Sequence, residues 1–222
     1  MTIVDHWPLF GLRINTQRLE LRVPTDDDLL ELLAVAQAGV HDPSTMPFLV
    51  PWTDQASPEF ERSFLQYHWG CRARWSAAGW DLNFVVVVDG KIVGSQGIAA
   101  TDFGILRTVN TGSWLGLEFQ GQGIGKAMRS VVVAFAFEYL GAERITSGAF
   151  LDNPASQRVS QATGYAPNGT NLVVRRGIAA EQLRFVLTKQ SWETNNIRAH
   201  IIVDGFEPCR PLFGLTANPP TV

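Results

Sequence analysis

The 222-residue chain reads as an α+β fold built around one mostly antiparallel sheet, and three features carry that reading. Two β-rich runs surround Asp89-Gly90, a dipeptide suited to a tight hairpin. Residues 107–117 read as a further strand that runs directly into a glycine-rich loop, EFQGQGIGKAM. After the loop, Ile124, Met128, Val131, Val132, Phe135 and Tyr139 fall on one helical face, and Gly141 marks that helix's end. A strand–helix–strand–helix core therefore spans 107–164.

The elements follow in order. RLELRV, residues 18–23, alternates apolar and charged positions as a half-buried strand does. Pro24 stops it, and Thr25 then N-caps DDDLLELLAVAQ, whose three aspartates suit the positive end of a helix. Ala38-Gly39 ends this helix. The next segment, VHDPSTMPFLVPWTDQAS, holds Pro43, Pro47 and Pro51 and has no helical period, the character of a binding loop or lid. Ser57-Pro58-Glu59 opens a helix on which Phe60, Phe64, Tyr67, Cys71 and Trp75 share a spacing, with Gly79 expected to close it. RITSGAF makes a strand, and Asp152-Asn153-Pro154 starts a short helix ending near Gly164. VVRRG, a strand at EQLRFVLTKQ and the tail HIIVDGFEPCRPLFG complete the chain.

Composition bounds the function. Hydrophobic residues make up 45% and charged residues 18%, which suits a packed core rather than global disorder. A net charge of -3 gives no general attraction to nucleic acid. Cys71 and Cys209 lie far apart and form no CxxC pair, so reduced thiols are expected. Asp5, Pro8 and Gly11 spoil the start as a signal peptide, and no stretch approaches a membrane span. The expectation is a cytoplasmic protein of one domain, residues 1–222, without a metal site.

The glycine loop fails two phosphate-binding rules. A lysine loop needs GxxxxGK followed by Ser or Thr, yet Gln120 stands where the first glycine belongs and Ala127 follows Lys126. A dinucleotide fingerprint counted from Gly121 and Gly123 needs its third glycine at Lys126. What remains is Gln120-x-x-Gly123-x-Gly125 between a strand and a helix. Bare amides at a helix start favour a diphosphate, while glycine also permits close helix–strand packing.

This pattern resembles the acetyl-coenzyme A loop of the GNAT superfamily of N-acetyltransferases. DNPASQRVSQATGY, residues 152–165, resembles the superfamily's next element, an Asn-x-x-Ser helix closing in Gly-Tyr. TQRLELRVPTDDDLLELL and TGSWLGLEFQGQGIG resemble the RimJ/RimL branch, with Ser113 replacing that branch's usual tyrosine. The resemblance covers about 16–188 and leaves the C-terminal extension, 190–222, without a counterpart. It implies a mixed, mostly antiparallel twisted sheet flanked by helices, with splayed central strands that bind acetyl-coenzyme A.

It also implies roles. Gln120, Gly121, Gly123, Gly125 and Lys126 would cradle the pyrophosphate, and Asn153 would meet the pantetheine arm. Backbone amides of the strand from Trp114 to Leu117, including Leu115 and Leu117, would polarise the thioester carbonyl. Transfer would be direct, with Ser156 as first candidate to protonate the departing thiolate and Tyr165 as second. An amine acceptor with a pKa near ~10.4 is mostly protonated at neutral pH, so a base or water chain must act. Glu118 is the first candidate base, with Asp81, His41 and His68 as others.

Acceptor specificity is expected from the proline-rich segment. Phe48 and Trp52 would form an apolar wall there, and His41, Asp42 and Asp54 would meet an amine; a surface loop pinned by its prolines and two buried aromatics is the competing reading. Arg175-Arg176 faces an acidic substrate, the nucleotide end of the cofactor or simply solvent, while Trp69, Trp75, Trp80 and Cys209 read as packing. The function expected is acetyl transfer to a primary amine: a protein N-terminus, a lysine or a small molecule. The alternative is a non-catalytic acyl-coenzyme A sensor. A homodimer is compatible with this sequence.

Overall fold

The Asp89-Gly90 turn sits at the middle of the sheet, with both residues left-handed at φ 49° and 76°, as a two-residue hairpin with primed-turn geometry requires. The computed structural model describes residues 1–195 and 197–215. Its strands are β1 (Arg13–Asn15), β2 (Glu20–Arg22), β3 (Gly79–Val88), β4 (Lys91–Thr101), β5 (Thr108–Leu115), β6 (Arg144–Phe150), β7 (Ala166–Arg175), β8 (Ile178–Thr188) and β9 (Ile202–Asp204). Its helices are α1 (Ile3–His6), α2 (Asp26–Gln37), α3 (Glu59–Ala73), α4 (Phe103–Leu106), α5 (Ile124–Ala134), α6 (Pro154–Ala162) and α7 (Lys189–Thr194).

The nine strands form one sheet in the order β7-β8-β6-β5-β4-β3-β2-β1-β9. Every neighbouring pair is antiparallel except β5 and β6. That exception needs a crossover, and α5 supplies it.

Alternation along β3 sorts the core into two layers. Phe84 and Val86 face α5, where Met128 and Val132 are buried, and Phe135 just beyond it. Val85 and Val87 face α2 and α3, packing on Leu29, Leu32 and Phe64. The apolar stripe of α5 continues through a π turn, Phe135–Tyr139, so Phe135 and Tyr139 still stack, their ring centroids 6.0 Å apart. Thr25 starts α2 as expected: its hydroxyl accepts from Asp28 N–H, and the Asp28 carboxylate accepts from Thr25 N–H.

Two local expectations are corrected, and the tail gains an element. Helix α3 ends at Ala73, because Ser76 and Gly79 close a turn through reciprocal backbone bonds, and Gly79 then begins β3. Trp69 is 45% exposed rather than core, its indole N–H donating to Asp26. The tail adds a strand: β9 pairs with β1, and beyond it Phe213 packs edge-on against Trp80. Trp75 N–H donates to Leu212 O there. Among the described residues no helix is long and apolar enough to cross a membrane, and no cluster of metal-ligating side chains occurs.

Candidate active site

Strands β5 and β6 pair only over Thr108–Asn110 and Arg144–Thr146. Beyond that, β5 stays with β4 to Leu115 and β6 stays with β8 to Phe150, so the two part and leave a wedge. Its apex is pinned by Asn110 Nδ2 donating to Thr146 Oγ1 and by Ser147 Oγ donating to Thr111 O.

Backbone groups alternate in direction along a strand. Gly116 N–H donates to Val93 O at 3.0 Å, toward β4, so Trp114 and Gly112 face β4 as well. The amides of Ser113 and Leu115 therefore point into the wedge. Leu117 does not join them, because its N–H donates to Gly39 O at 3.0 Å. The expected row of polarising amides is thus corrected to Ser113 and Leu115.

At the wide end of the wedge the glycine loop turns into α5. Gly121 and Gly123 are left-handed at φ 74° and 78°, a conformation costing other residues about 1–2 kcal/mol. A Cβ on Gly121 would meet nothing within 4 Å, so its backbone is open to a ligand. The N–H groups of Gly123, Ile124, Gly125 and Lys126 precede the first helical bond, Ala127 N–H to Gly123 O, leaving four amides without a helical acceptor. Lys126 is exposed beside them. Gly125 also serves packing, since a Cβ there would lie 3.7 Å from Val159 of α6.

Arg18, which no local pattern marks, joins this loop from 104 residues away. Its guanidinium donates to Gln122 O at 2.6 Å. Bare amides, a helix start and two cations fit a diphosphate, and the wedge beside them fits a narrow arm.

Gln120 leaves the cradle. Its side-chain amide donates to Val40 O at 2.7 Å and Leu115 O at 2.9 Å, holding the strand end against the α2 turn. Its own N–H donates to Leu117 O. Glu118 is exposed on the 3₁₀ turn Leu117–Phe119, on the loop side of the wedge.

Asn153 caps α6, its Oδ1 accepting from Ser156 N–H at 3.1 Å. Ser156 is half-buried, and its hydroxyl has no partner among the described residues. Tyr165 is only 4% exposed, with its hydroxyl 3.0 Å from Thr111 Oγ1. Burial raises its pKa, and a hydroxyl committed to the apex is a structural pin rather than an acid facing a thiolate.

The opposite face of β5 carries the aromatic cluster. Trp52 lies 5.1 Å from Phe48, 5.9 Å from Phe60 and 5.6 Å from Trp114, centroid to centroid. Next to Trp114 the sheet carries little bulk: Asn83, Gly97 and Gly112 are cross-strand neighbours, a Cβ on Gly112 would meet nothing within 4 Å, and the Asn83 side chain lies against Gly97. Asp81 borders this patch and accepts from Asn83 at 3.0 Å, from Tyr67 at 3.2 Å and from Cys71 Sγ at 3.6 Å.

The polar groups expected to meet an amine are engaged elsewhere. His41 Nδ1 donates to Asp42 O at 2.8 Å, and its Nε2 lies 2.7 Å from Thr53 Oγ1, so the ring fastens its own loop. Asp42 accepts from Ser44. Asp54 is gripped by Arg176, which holds its carboxyl below the usual range. Arg175 likewise pairs with Asp152 and donates to Met46 O, so both arginines fasten the chain to itself. His68 is buried and pushed down to about 4, chiefly by desolvation and further by Arg72. Cys209 is buried and donates to Gly205 O.

A family model described as Acetyltransferase (GNAT) domain matches residues 18–166. The chain belongs to the GNAT acetyltransferase family. As a GNAT enzyme it is an acetyl-coenzyme A-dependent acyltransferase.

Solved GNAT structures share the fold. Mycobacterium smegmatis RimJ in complex with CoA-disulfide superposes with a TM-score of 0.65 at 20% identity, covering 81% of this chain and 86% of that one. A GNAT-family acetyltransferase from Bacillus anthracis gives 0.64 at 15%, covering 80% and 99%. A spermidine N-acetyltransferase SpeG chimera from Vibrio cholerae and hSSAT gives 0.61 at 15%, also covering 80% and 99%.

Proposed function

We propose that the chain is a single catalytic domain that moves an acetyl group directly to a primary amine, with the donor along β5 and the acceptor over Gly97 and Gly112. The observation that carries this is the wedge: the amides of Ser113 and Leu115 face into an opening that begins at bare helix-start amides. Bound acetyl-coenzyme A supplies a thioester whose carbonyl carbon an amine can attack. Gly121, Gly123, Gly125 and Lys126, with Arg18, hold the phosphates, and Asn153 borders the arm. The Ser113 and Leu115 amides donate to the carbonyl oxygen as charge develops on it.

Asp81 is the carboxylate placed beside the Gly97–Gly112 patch, and it takes the amine's proton directly or through water. Glu118, at the phosphate end, is displaced from that role. Ser156, with its free hydroxyl on the first turn of α6, protonates the departing thiolate. Trp114, Trp52 and Phe48 line the acceptor side, and the loop that carries His41 fixes their position. A protein N-terminus, the acceptor class in the name of a solved ribosomal L7/L12 alpha-N-protein acetyltransferase of this fold, is the first to test, ahead of polyamines. Family membership favours the enzyme over a sensor.

The test is thiol release from acetyl-coenzyme A with N-terminal peptides, lysine peptides and polyamines, alongside calorimetric titration with coenzyme A. Coenzyme A binding with turnover of at least one amine class supports the reading. Binding without turnover of any amine restores the sensor.

A further inference from the structure

The wedge contains a charge that the transfer of an acetyl group does not need. Arg129 of α5 is only 3% exposed. Its guanidinium donates to Ser113 Oγ at 3.0 Å and to Ser147 Oγ at 3.2 Å, spanning β5 and β6 just beyond the point where they separate. Its Nε is buried with no acceptor. Among the described residues no carboxylate lies within 4.0 Å of it. The Tyr165 ring lies 6.0 Å away.

An arginine keeps its charge in a protein interior, and burying that charge unpaired costs several kcal/mol. A methionine of similar volume would fill the space without that cost. The position therefore points to a ligand that brings the missing negative charge. Phosphates are excluded as that ligand, since the open amides, Arg18 and Lys126 stand at the other end of β5. A donor anchored there extends along Leu115 and Ser113 toward the apex, and its acyl end is the part that reaches Arg129.

We propose that Arg129, with Ser113 and Ser147, forms a receptor for a carboxylate on the acyl group, so that the protein takes donors such as succinyl- or malonyl-coenzyme A in addition to acetyl-coenzyme A. A planar guanidinium and the Ser113 hydroxyl match a carboxylate in both charge and donor geometry, while Ser147, whose hydroxyl donates to Thr111 O, positions the guanidinium. With an acetyl donor Arg129 keeps its two serine bonds, as in this structure, and its Nε stays without an acceptor. The transfer itself is unchanged: the amine nitrogen bonds to the acyl carbon, the carbon–sulfur bond breaks, and the amine's proton ends on the thiolate. The carboxylate does not react. This inference rests on the coenzyme A reading of the wedge.

The experiment is calorimetric titration of the full chain with coenzyme A, acetyl-, butyryl- and succinyl-coenzyme A. Succinyl-coenzyme A is expected to bind about tenfold or more tightly than butyryl-coenzyme A, the scale of a buried charge-assisted pair. Arg129→Met should erase that difference and leave coenzyme A affinity unchanged, while Arg129→Lys should keep part of it. Equal affinity for the succinyl and butyryl donors in the unsubstituted protein overturns the proposal whether or not the variants fold. Equal losses for all four ligands in Arg129→Met overturn it as well, making Arg129 a strut of the wedge. Failure of coenzyme A itself to bind overturns the underlying reading and is distinguishable from both.

Discussion

Arg176, at the tip of the β7–β8 hairpin, grips Asp54 of the proline-rich loop through two parallel bonds of 2.6 and 2.5 Å across 122 residues of sequence. Arg175 beside it holds the same loop through Met46 O at 3.0 Å. The loop that frames the aromatic wall is therefore tied to the far edge of the sheet.

The Arg176–Asp54 pair is half-exposed, with side chains 35% and 40% accessible, so solvent screens it and its removal should change stability little. Its effect belongs on the acceptor instead. Arg176→Ala and Asp54→Ala are each expected to raise the acceptor's KM severalfold, with the KM of acetyl-coenzyme A unchanged, and the double variant should be no worse than either. Additive effects in that cycle would deny that the two residues act as one latch.

Gly123→Val should abolish coenzyme A binding. The φ of 78° forces strain on any β-branched residue, and the new side chain would point toward Arg18 and the helix-start amides. Gly169→Val is the matched control, because Gly169 is also left-handed, at φ 77°, and has open space on the β7 edge. Calorimetry should show binding lost in the first variant and kept in the second. Equal losses would mean that backbone strain alone explains the result.

Ser156→Ala is expected to lower kcat by roughly 10²-fold with coenzyme A affinity little changed, as for a positioned acid. The alkaline side of the pH profile should also alter, since that is where the acid's proton becomes limiting. Tyr165→Phe should behave differently. It removes the buried Tyr165–Thr111 bond and leaves Thr111 Oγ1 its bond to Thr146 O, so it should lower stability by about 1 kcal/mol while kcat falls little. Near-normal kcat in Ser156→Ala would transfer the acid's role to water.

Asp81→Asn should lower kcat/KM for the acceptor by about 10²-fold, and Glu118→Gln should leave it within a fewfold. Asp81 lies across Ala99 level with Asn110, near the start of β5 and beside the Gly97–Gly112 patch, whereas Glu118 follows the strand's far end. The reverse ranking would move the base to the loop side.

His68 makes stability depend on pH. Burial pushes its imidazole from the ordinary 6.5 down to about 4, so the folded state holds it neutral while the unfolded chain protonates. This contribution is complete above about pH 6.5 and is lost as pH falls toward 4. Between pH 7 and 5 the loss amounts to about 2 kcal/mol. Urea unfolding midpoints should drop over that interval and flatten in His68→Leu.

Sequence alone determined the local devices of this protein. The Asp89-Gly90 turn, the Thr25–Asp28 cap, the apolar stripe of α5 and the left-handed glycines before it each depend on dihedrals and spacings within a few residues. Such constraints survive without knowledge of the rest of the chain. Tertiary structure alone decided which groups remain free to act. Gln120 sits in the motif yet turns inward, because the carbonyls of Val40 and Leu115 would otherwise lack a donor. His41 is consumed by Thr53 and its own loop. Arg18 reaches the cradle, and Arg129 the wedge, only after strands distant in sequence pair. Polar groups withdrawn from water must find partners, and those partners come from wherever the fold brings them. That accounting is global, so no stretch of sequence carries it.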